Sequence, residues 1–165
     1  MHTTANNTRI RAICKDDNPV IARIIRQTLE EFNANHPGTV YYDASTDHLY
    51  ELFSHPGAAY FIAERENHIL GGGGIFPTAG LPADTCELVK MYLLPEARGT
   101  GLGKQLITLC MHKAKELGYK NIYLETLPEL KQALGIYSRF GFRYLDQPMG
   151  NSGHTGCPLW MIREL

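Results

Sequence analysis

The residues best suited to bind a ligand form a glycine-rich run between an apolar segment and a helix-like segment. The apolar segment spans residues 88–94 and ends at Pro95, and the helix-like segment spans residues 102–117 and ends at Gly118. A strand, a glycine-rich turn and a helix in this order present free backbone N–H groups and the positive end of a helix dipole to an anion. We therefore expect a phosphorylated ligand at Arg98, Gly99, Thr100, Gly101, Leu102, Gly103 and Lys104.

Two common phosphate loops do not fit this run. A P-loop needs Gly-x-x-x-x-Gly-Lys-Ser/Thr, but Arg98 stands at its first glycine and Gln105 at its hydroxyl position, so the usual Mg²⁺ ligand is missing. A dinucleotide fingerprint needs Gly-x-Gly-x-x-Gly, and its third glycine falls on Lys104 or on Leu106, depending on the start.

The run does match the pattern Arg/Gln-x-x-Gly-x-Gly/Ala, and residues 137–142 match a second pattern, Tyr-x-x-x-Gly-Phe. With both patterns the chain resembles the GNAT superfamily of acyl-CoA-dependent N-acetyltransferases. The resemblance implies that residues 98–104 bind the pyrophosphate of acetyl-CoA and that the acetyl group passes directly to an amine. It also implies that the backbone of Met91, Tyr92 and Leu93 pairs with the pantetheine arm and can stabilise the oxyanion of the tetrahedral intermediate.

The resemblance gives Tyr137 the role of the general acid that protonates the leaving thiolate. A phenol of pKa about 10 is protonated at neutral pH and can give its proton to a thiolate of pKa about 8.5. It acts only if it reaches the leaving sulfur. The alternative is an ordinary core tyrosine near the end of an amphipathic helix.

The general base has two candidates, Glu87 and Glu125. Family members carry a base glutamate at one or the other of these positions, and both residues lie at strand ends beside the expected cleft. Partial burial would raise the pKa of either carboxyl. A relay through water remains the third alternative, with each glutamate then a surface group or a holder of that water.

The acceptor-binding residues are less well marked. By the same resemblance they come from the first helical pair and from a late polar loop, residues 150–156, which is suited to act as a lid. The candidates are Phe32, Asn33, Tyr41, Tyr42, His154 and Trp160. One departure from the family pattern is Leu130, which stands where many members have an asparagine that contacts CoA.

Composition limits the alternatives. The chain has 165 residues, 44% of them apolar and 20% charged, with a net charge of -1. This predicts one globular domain, residues 1–165, with no general attraction to nucleic acid or to an anionic membrane. Four cysteines without a Cys-x-x-Cys pair predict no metal site and a reduced compartment. A polar start without a signal peptide then predicts a cytoplasmic protein.

Hydrophobic periodicity predicts the elements that position these residues. Strands are expected over residues 8–14, 59–64, 69–76, 87–94, 121–125, 142–145 and 159–163, and helices over residues 19–32, 46–53, 102–117 and 130–140. The glycines at 71–74 lie inside a strand, where they indicate a bulge or a close backbone approach rather than a phosphate site. The predicted fold is α/β (α+β), a GNAT-like mixed central β-sheet flanked by helices on both faces.

The sequence thus predicts an N-acetyltransferase that uses acetyl-CoA as co-substrate and an amine of a small molecule or peptide as acceptor. A non-catalytic acyl-CoA-binding module is the alternative. A phosphoryl-transfer enzyme is a third reading that Gln105 disfavours. A homodimer is also considered, since exposed sheet edges often pair.

Overall fold

The computed structural model describes residues 7–165, so the start of the polar N-terminal segment, residues 1–6, lies outside the described residues. The elements follow one another in the predicted order. The strands are β1 (Thr8–Ala12), β2 (Ala59–Arg65), β3 (His68–Phe76), β4 (Thr85–Leu93), β5 (Asn121–Thr126), β6 (Arg143–Leu145) and β7 (Leu159–Glu164). The helices are α1 (Asn18–Glu31), α2 (Leu49–Leu52), α3 (Leu102–Glu116) and α4 (Lys131–Arg139).

The strands form one mixed sheet in the order β1-β2-β3-β4-β5-β7-β6. The pair β4–β5, whose strands flank α3 in the sequence, is parallel, and the other neighbouring pairs are antiparallel. β4 pairs with β5 only through residues 85–87. β5 pairs with β7 over residues 121–126, its whole length. The parallel strands therefore separate after Glu87 and leave residues 88–93 of β4 without a β5 neighbour.

Helices cover both faces of the sheet, as predicted. Tyr60 and Ile62 of β2 pack in a cluster with α1, whereas Phe61 and Ala63 pack with α3. Successive side chains of a strand point to opposite faces, so α1 and α3 lie on opposite sides. The face of α3 continues into a larger core with Tyr137 of α4 and the buried side chains of β4 and β5.

The glycines of β3 make space for neighbouring backbone and for Tyr60. A Cβ at Gly72 would lie 2.5 Å from the carbonyl oxygen of Phe61 and 2.7 Å from the ring of Tyr60. A Cβ at Gly74 would lie 2.7 Å from the same ring. The pairing of β3 with β4 is also irregular between Gly72 and Gly74. The predicted structural role of this glycine run is confirmed.

Local boundaries differ from the predictions in three places. The second helix is a single turn, Leu49–Leu52, which follows a 3₁₀ turn over Ala44–His48. The first strand ends at Ala12, because Lys15–Asp17 already form a 3₁₀ turn. The helix expected over residues 102–117 ends one residue earlier, at Glu116, and Leu117 is 42% exposed. Among residues 7–165, no helix is long and apolar enough to cross a lipid bilayer.

We expect Gly72→Ala to lower the free energy of unfolding by about 1–3 kcal/mol, because the new methyl group must displace backbone or the Tyr60 ring. Gly135→Ala is the matched control. Gly135 lies inside α4, and no neighbouring atom lies within 4 Å of the place that a methyl group would take, so alanine should add about 0.5–1 kcal/mol. Urea unfolding measures both, and equal effects of the two substitutions would contradict the steric argument.

Candidate active site

The gap between β4 and β5 holds two cavities that share a wall. The larger one measures about 470 Å³ and reaches from the start of α3 to α4. The smaller one measures about 50 Å³ and lies over the ends of β4 and β5; we call it the inner chamber. Both cavities are lined by Met91, Tyr92, Leu130, Ala133 and Tyr137. A molecule in the larger cavity can therefore present its end to a group in the inner chamber.

The start of α3 offers a row of unused backbone donors to the larger cavity. Gly101 is the N-cap residue and no side chain caps the helix. Within residues 7–165, no N–H group from residue 99 to residue 104 has a protein acceptor. Gly99 and Gly101 have φ of 72° and 84°, in the left-handed region that favours glycine. The predicted strand-turn-helix geometry for an anion is thus present.

Arg98 lines the larger cavity, but protein groups already occupy its guanidinium. The group donates to the carbonyl oxygen of Leu93 at 2.9 Å and to both carboxylate oxygens of Glu31, at 3.0 and 2.6 Å. It also lies 4.9 Å from the ring centre of Phe32. Arg98 therefore ties the glycine-rich turn to the end of α1. Lys104 is exposed and has no ion-pair partner among the described residues.

Glu87 is a buried carboxyl at the point where β4 and β5 separate. It is 3% exposed, and Thr78 Oγ1 donates to its Oε1 at 2.6 Å. Burial raises the pKa of Glu87 to about 7, the hydrogen bond from Thr78 opposes that rise, and the charge of Glu125 adds to it. A carboxyl with a pKa near neutrality exchanges protons readily under physiological conditions.

Glu125 faces the same chamber with stronger hydrogen-bonding support. Tyr123 donates its hydroxyl to Oε2 at 2.7 Å, and Ser152 donates its hydroxyl to Oε1. The side chain is 5% exposed. These two donors hold the Glu125 carboxyl in place at the wall of the chamber.

A chain of charged groups from three parts of the sequence completes the inner chamber. His154 Nε2 donates to Asp43 Oδ2 at 2.6 Å, since a carboxylate can only accept. His154 Nδ1 lies 3.9 Å from Glu125, and the ammonium of Lys90 lies 3.8 Å from Asp43. Glu87, Glu125 and His154 each place one ligand atom within 4.8 Å of the others, so this set could also hold a divalent cation.

Tyr137 lies on the wall that the two cavities share. Its side chain is buried against Phe142, with ring centres 5.8 Å apart, and its hydroxyl has no hydrogen-bond partner within the described part of the chain. Burial raises the pKa of this phenol, so it stays protonated at neutral pH. It is therefore a proton donor with no protein group competing for its proton.

Comparison with known proteins identifies the family. The sequence pattern of the Acetyltransferase (GNAT) family matches residues 23–142. The Escherichia coli K12 protein named "Uncharacterized N-acetyltransferase YjgM" is 44% identical over 157 residues, 94% of each chain. The chain belongs to the GNAT acetyltransferase family.

Solved structures agree with this GNAT fold. A GNAT acetyltransferase of Staphylococcus aureus Mu50 superposes with a TM-score of 0.85 at 21% identity, covering 96% of this chain and 99% of that one. YncA of Salmonella typhimurium, solved with acetyl-CoA, gives 0.74 at 20% identity, covering 97% and 95%. The predicted fold class is confirmed. An enzyme of the acetyl-CoA-dependent N-acetyltransferase class is also confirmed, over the binding-only and phosphoryl-transfer alternatives.

Most residues that the GNAT patterns singled out lie together. The larger cavity is lined by Met91, Tyr92, Leu93, Arg98, Gly99, Gly101, Gly103, Lys104 and Tyr137. Thr100 and Leu102 do not line it, because the Thr100 hydroxyl donates to the carbonyl of Ala97 and Leu102 packs in the core. Both candidate base glutamates line the inner chamber.

The acceptor candidates are dispersed. Of the six, His154 alone lines the inner chamber, and Phe32 lines the larger cavity instead. Tyr42 is 61% exposed, and the hydroxyl of Tyr41 donates to Glu30 on the surface. Asn33 follows α1 with φ of 53°, and Trp160 pairs within the sheet opposite Glu125.

Three residues at the chamber were missed by sequence reasoning: Thr78, Asp43 and Lys90. Thr78 and Asp43 lie in polar loops, where nothing in the sequence distinguishes them from other loop residues. Lys90 did carry a signal, because it is the one charged residue in the apolar segment of residues 88–94. A lysine in such a segment is either a surface residue of an irregular strand or a buried group with a ligand.

Proposed function

We propose that the larger cavity binds acetyl-CoA with its diphosphate on the free N–H groups of residues 99–104. The uncapped start of α3 and the open left-handed glycines support this placement. The pantetheine arm would then run along residues 88–93 of β4, where β5 no longer pairs with the strand. An extended ligand can take up the backbone hydrogen bonds of such an edge.

The observation that carries the proposal is the shared wall of the two cavities. It separates a cavity with an anion site from a chamber with two buried carboxyl groups. A thioester that reaches this wall has its carbonyl carbon open to an amine in the chamber and its sulfur beside Tyr137. We therefore give Tyr137 the role of the acid that protonates the departing thiolate.

Glu87 and Glu125 divide the remaining work. Glu87 accepts one hydrogen bond and has a pKa of about 7, so it is the proposed general base. Glu125 accepts two hydrogen bonds, and its charge raises the pKa of Glu87, so it is the proposed anchor of the acceptor's ammonium group. Glu87 removes a proton from the ammonium, and the free amine attacks the thioester carbonyl. The C–N bond forms, the C–S bond breaks, and the thiolate takes the proton of Tyr137. The second proton of the attacking nitrogen then restores the Tyr137 phenol, which burial keeps in its neutral form.

A cytoplasmic location and the pairing of two copies along an outer strand stay predictions. The outer strands are β1 and β6, and such edges carry unpaired backbone groups that a second copy can bind.

We expect Gly101→Ala to raise the dissociation constant of acetyl-CoA about tenfold. Alanine in the left-handed region costs about 1–2 kcal/mol, so the turn shifts and its N–H groups no longer converge. Gly118→Ala is the matched control. Gly118 has φ of 91° and lies beyond the other end of α3, so alanine there imposes the same strain away from the cavity. Isothermal titration with acetyl-CoA should separate the two variants. An equal loss of affinity in both would show that the turn makes no specific contact.

We expect the rate to fall as the pH drops below about 7, because Glu87 must lose its proton before it can accept one. Glu87→Gln should remove this limb of the profile and lower kcat/KM by about 10²-fold or more. Glu125→Gln should move the limb to lower pH, because it removes a like charge that raises the pKa of Glu87. Initial rates of thiol release measure this, with exposed Glu116→Gln as control. If Glu125→Gln alone removed the limb, the two roles would be exchanged.

We expect Tyr137→Phe to lower kcat by about 10²-fold, while the affinity for acetyl-CoA changes little, because only the proton donor is lost. Tyr144→Phe is the matched control, since that tyrosine is 53% exposed on the outer strand β6. Turnover at saturating acetyl-CoA and amine is the measurement. Unchanged turnover in Tyr137→Phe would rule out the assigned acid.

A further inference from the structure

Lys90 is a buried cation with an incomplete set of partners. Its side chain is 5% exposed and lines the inner chamber. Its ammonium lies 3.8 Å from Asp43, which is beyond hydrogen-bonding distance, and it donates no hydrogen bond to any group of residues 7–165. Burial lowers the pKa of this amine by disfavouring its charged form. A buried charged group without hydrogen bonds is expensive to maintain, so it indicates a ligand that supplies them.

An irregularity in β4 brings Lys90 to the same chamber as Glu87. They are three positions apart, and in a regular strand their side chains would point to opposite faces. Lys90 has φ of 53°, and the register between β3 and β4 shifts at this position. The hydroxyl of Tyr60 donates to the carbonyl of Lys90 at 2.7 Å and holds the backbone there. Such a bulge re-aims a side chain.

Asp43 is drawn to His154 rather than to Lys90, so it gives the ammonium no hydrogen bond. The contact with His154 is 2.6 Å, against 3.8 Å for Lys90. The chamber therefore has an anionic end at Glu87 and Glu125 and a cationic end at Lys90. The two ends stand in one small space of about 50 Å³.

The loops around the chamber are joined to one another by hydrogen bonds. The N–H of Gly156 donates to the carbonyl of Gly38 at 3.0 Å, and the N–H of Asn151 donates to the carbonyl of Ala79 at 2.7 Å. His36 contacts Glu129 at 3.0 Å on the other side. The late loop is thus joined to both neighbouring loops, and a compact molecule fits beneath them better than a polypeptide segment.

We propose that the acetyl acceptor is a small zwitterion of the amino-acid type, with its ammonium at Glu87 and Glu125 and its carboxylate at Lys90. This inference rests on the proposed function, because it requires acetyl transfer at the same chamber. It excludes peptide N-termini, whose nearest carbonyl is an uncharged amide. It also excludes simple amines as preferred acceptors, because they leave Lys90 without an anion.

The test compares each amino acid with its decarboxylated amine. Purified full-length chain is given acetyl-CoA and the standard L-amino acids. Tyramine, histamine and phenethylamine serve as the partners of tyrosine, histidine and phenylalanine, and a dipeptide series is run beside them. Thiol release gives kcat/KM for each. We expect at least one amino acid to exceed its amine and its dipeptides by about 30-fold or more, the size of effect that a buried charge partner gives.

Lys90→Met is expected to reduce the ratio of kcat/KM for the amino acid to kcat/KM for its amine by about 30-fold. Lys90→Gln is the substitute variant if the methionine variant folds poorly. Thermal unfolding and acetyl-CoA affinity verify the fold of either variant. The inference would be overturned if amines or peptides reacted as well as amino acids, or if neither variant changed the ratio of kcat/KM for the amino acid to that for its amine. The proposed function would still stand in either case. No turnover with any acceptor, despite binding of acetyl-CoA, would overturn both.

Discussion

The separation of β4 from β5 is the constraint on which the rest of the site depends. The two parallel strands pair through residues 85–87, and then β5 continues along β7 while β4 continues along β3. Backbone groups in the interior of a protein need hydrogen-bond partners, so the uncovered edge of β4 favours an extended ligand. The start of α3 lies at one end of this gap and Glu87 at the other. In the proposed function, this one topological feature sets where the co-substrate lies and where its reactive end stops.

The glycines of β3 connect this gap to the chemistry. A side chain at Gly72 or Gly74 would occupy the place of the Tyr60 ring, so the glycines let that ring lie against the sheet. From there its hydroxyl reaches the carbonyl of Lys90 and fixes the irregular backbone of β4. The irregularity in turn directs Lys90 into the chamber. The glycine run of β3, which resembles a phosphate loop, therefore supports the inner chamber through packing.

Sequence reasoning predicted features that depend on neighbouring residues and missed contacts between residues that lie far apart in the chain. The turn at 98–104 and the pattern at 137–142 are contiguous, and the periodicity of each element is a property of a short window. The contact of His154 with Asp43 joins residues 111 positions apart, and that of Arg98 with Glu31 joins residues 67 apart. The family pattern singled out Arg98, which lines the larger cavity, but could not reveal that Glu31 occupies its donors. Tyr41 and Tyr42 do not line the inner chamber, because their orientation follows from how α1 and the next loop pack.

The two glutamates show that residue type alone does not indicate which carboxyl is suited to act as the base. Glu87 lies near the start of β4 and Glu125 near the end of β5, and the sequence offered no reason to prefer either as the base. Their surroundings differ in the number of donors, one from Thr78 against two from Tyr123 and Ser152. Burial raises the pKa of Glu87 to about 7, and its single donor opposes that rise only in part.

Burial then makes the proton transfer itself favourable. In water an ammonium and a carboxylate both keep their charges, but loss of water raises the pKa of Glu87 and lowers that of an amine beside it. Both shifts favour the neutral pair, which is the protonated carboxyl and the nucleophilic amine. The charge of Glu125 raises the pKa of Glu87 further. The carboxylate oxygens of Glu125 can at the same time accept a hydrogen bond from the amine. A carboxylate on the acceptor adds the anion that Lys90 lacks, so an amino acid would satisfy the charged groups at both ends of the chamber at the moment its amine becomes reactive.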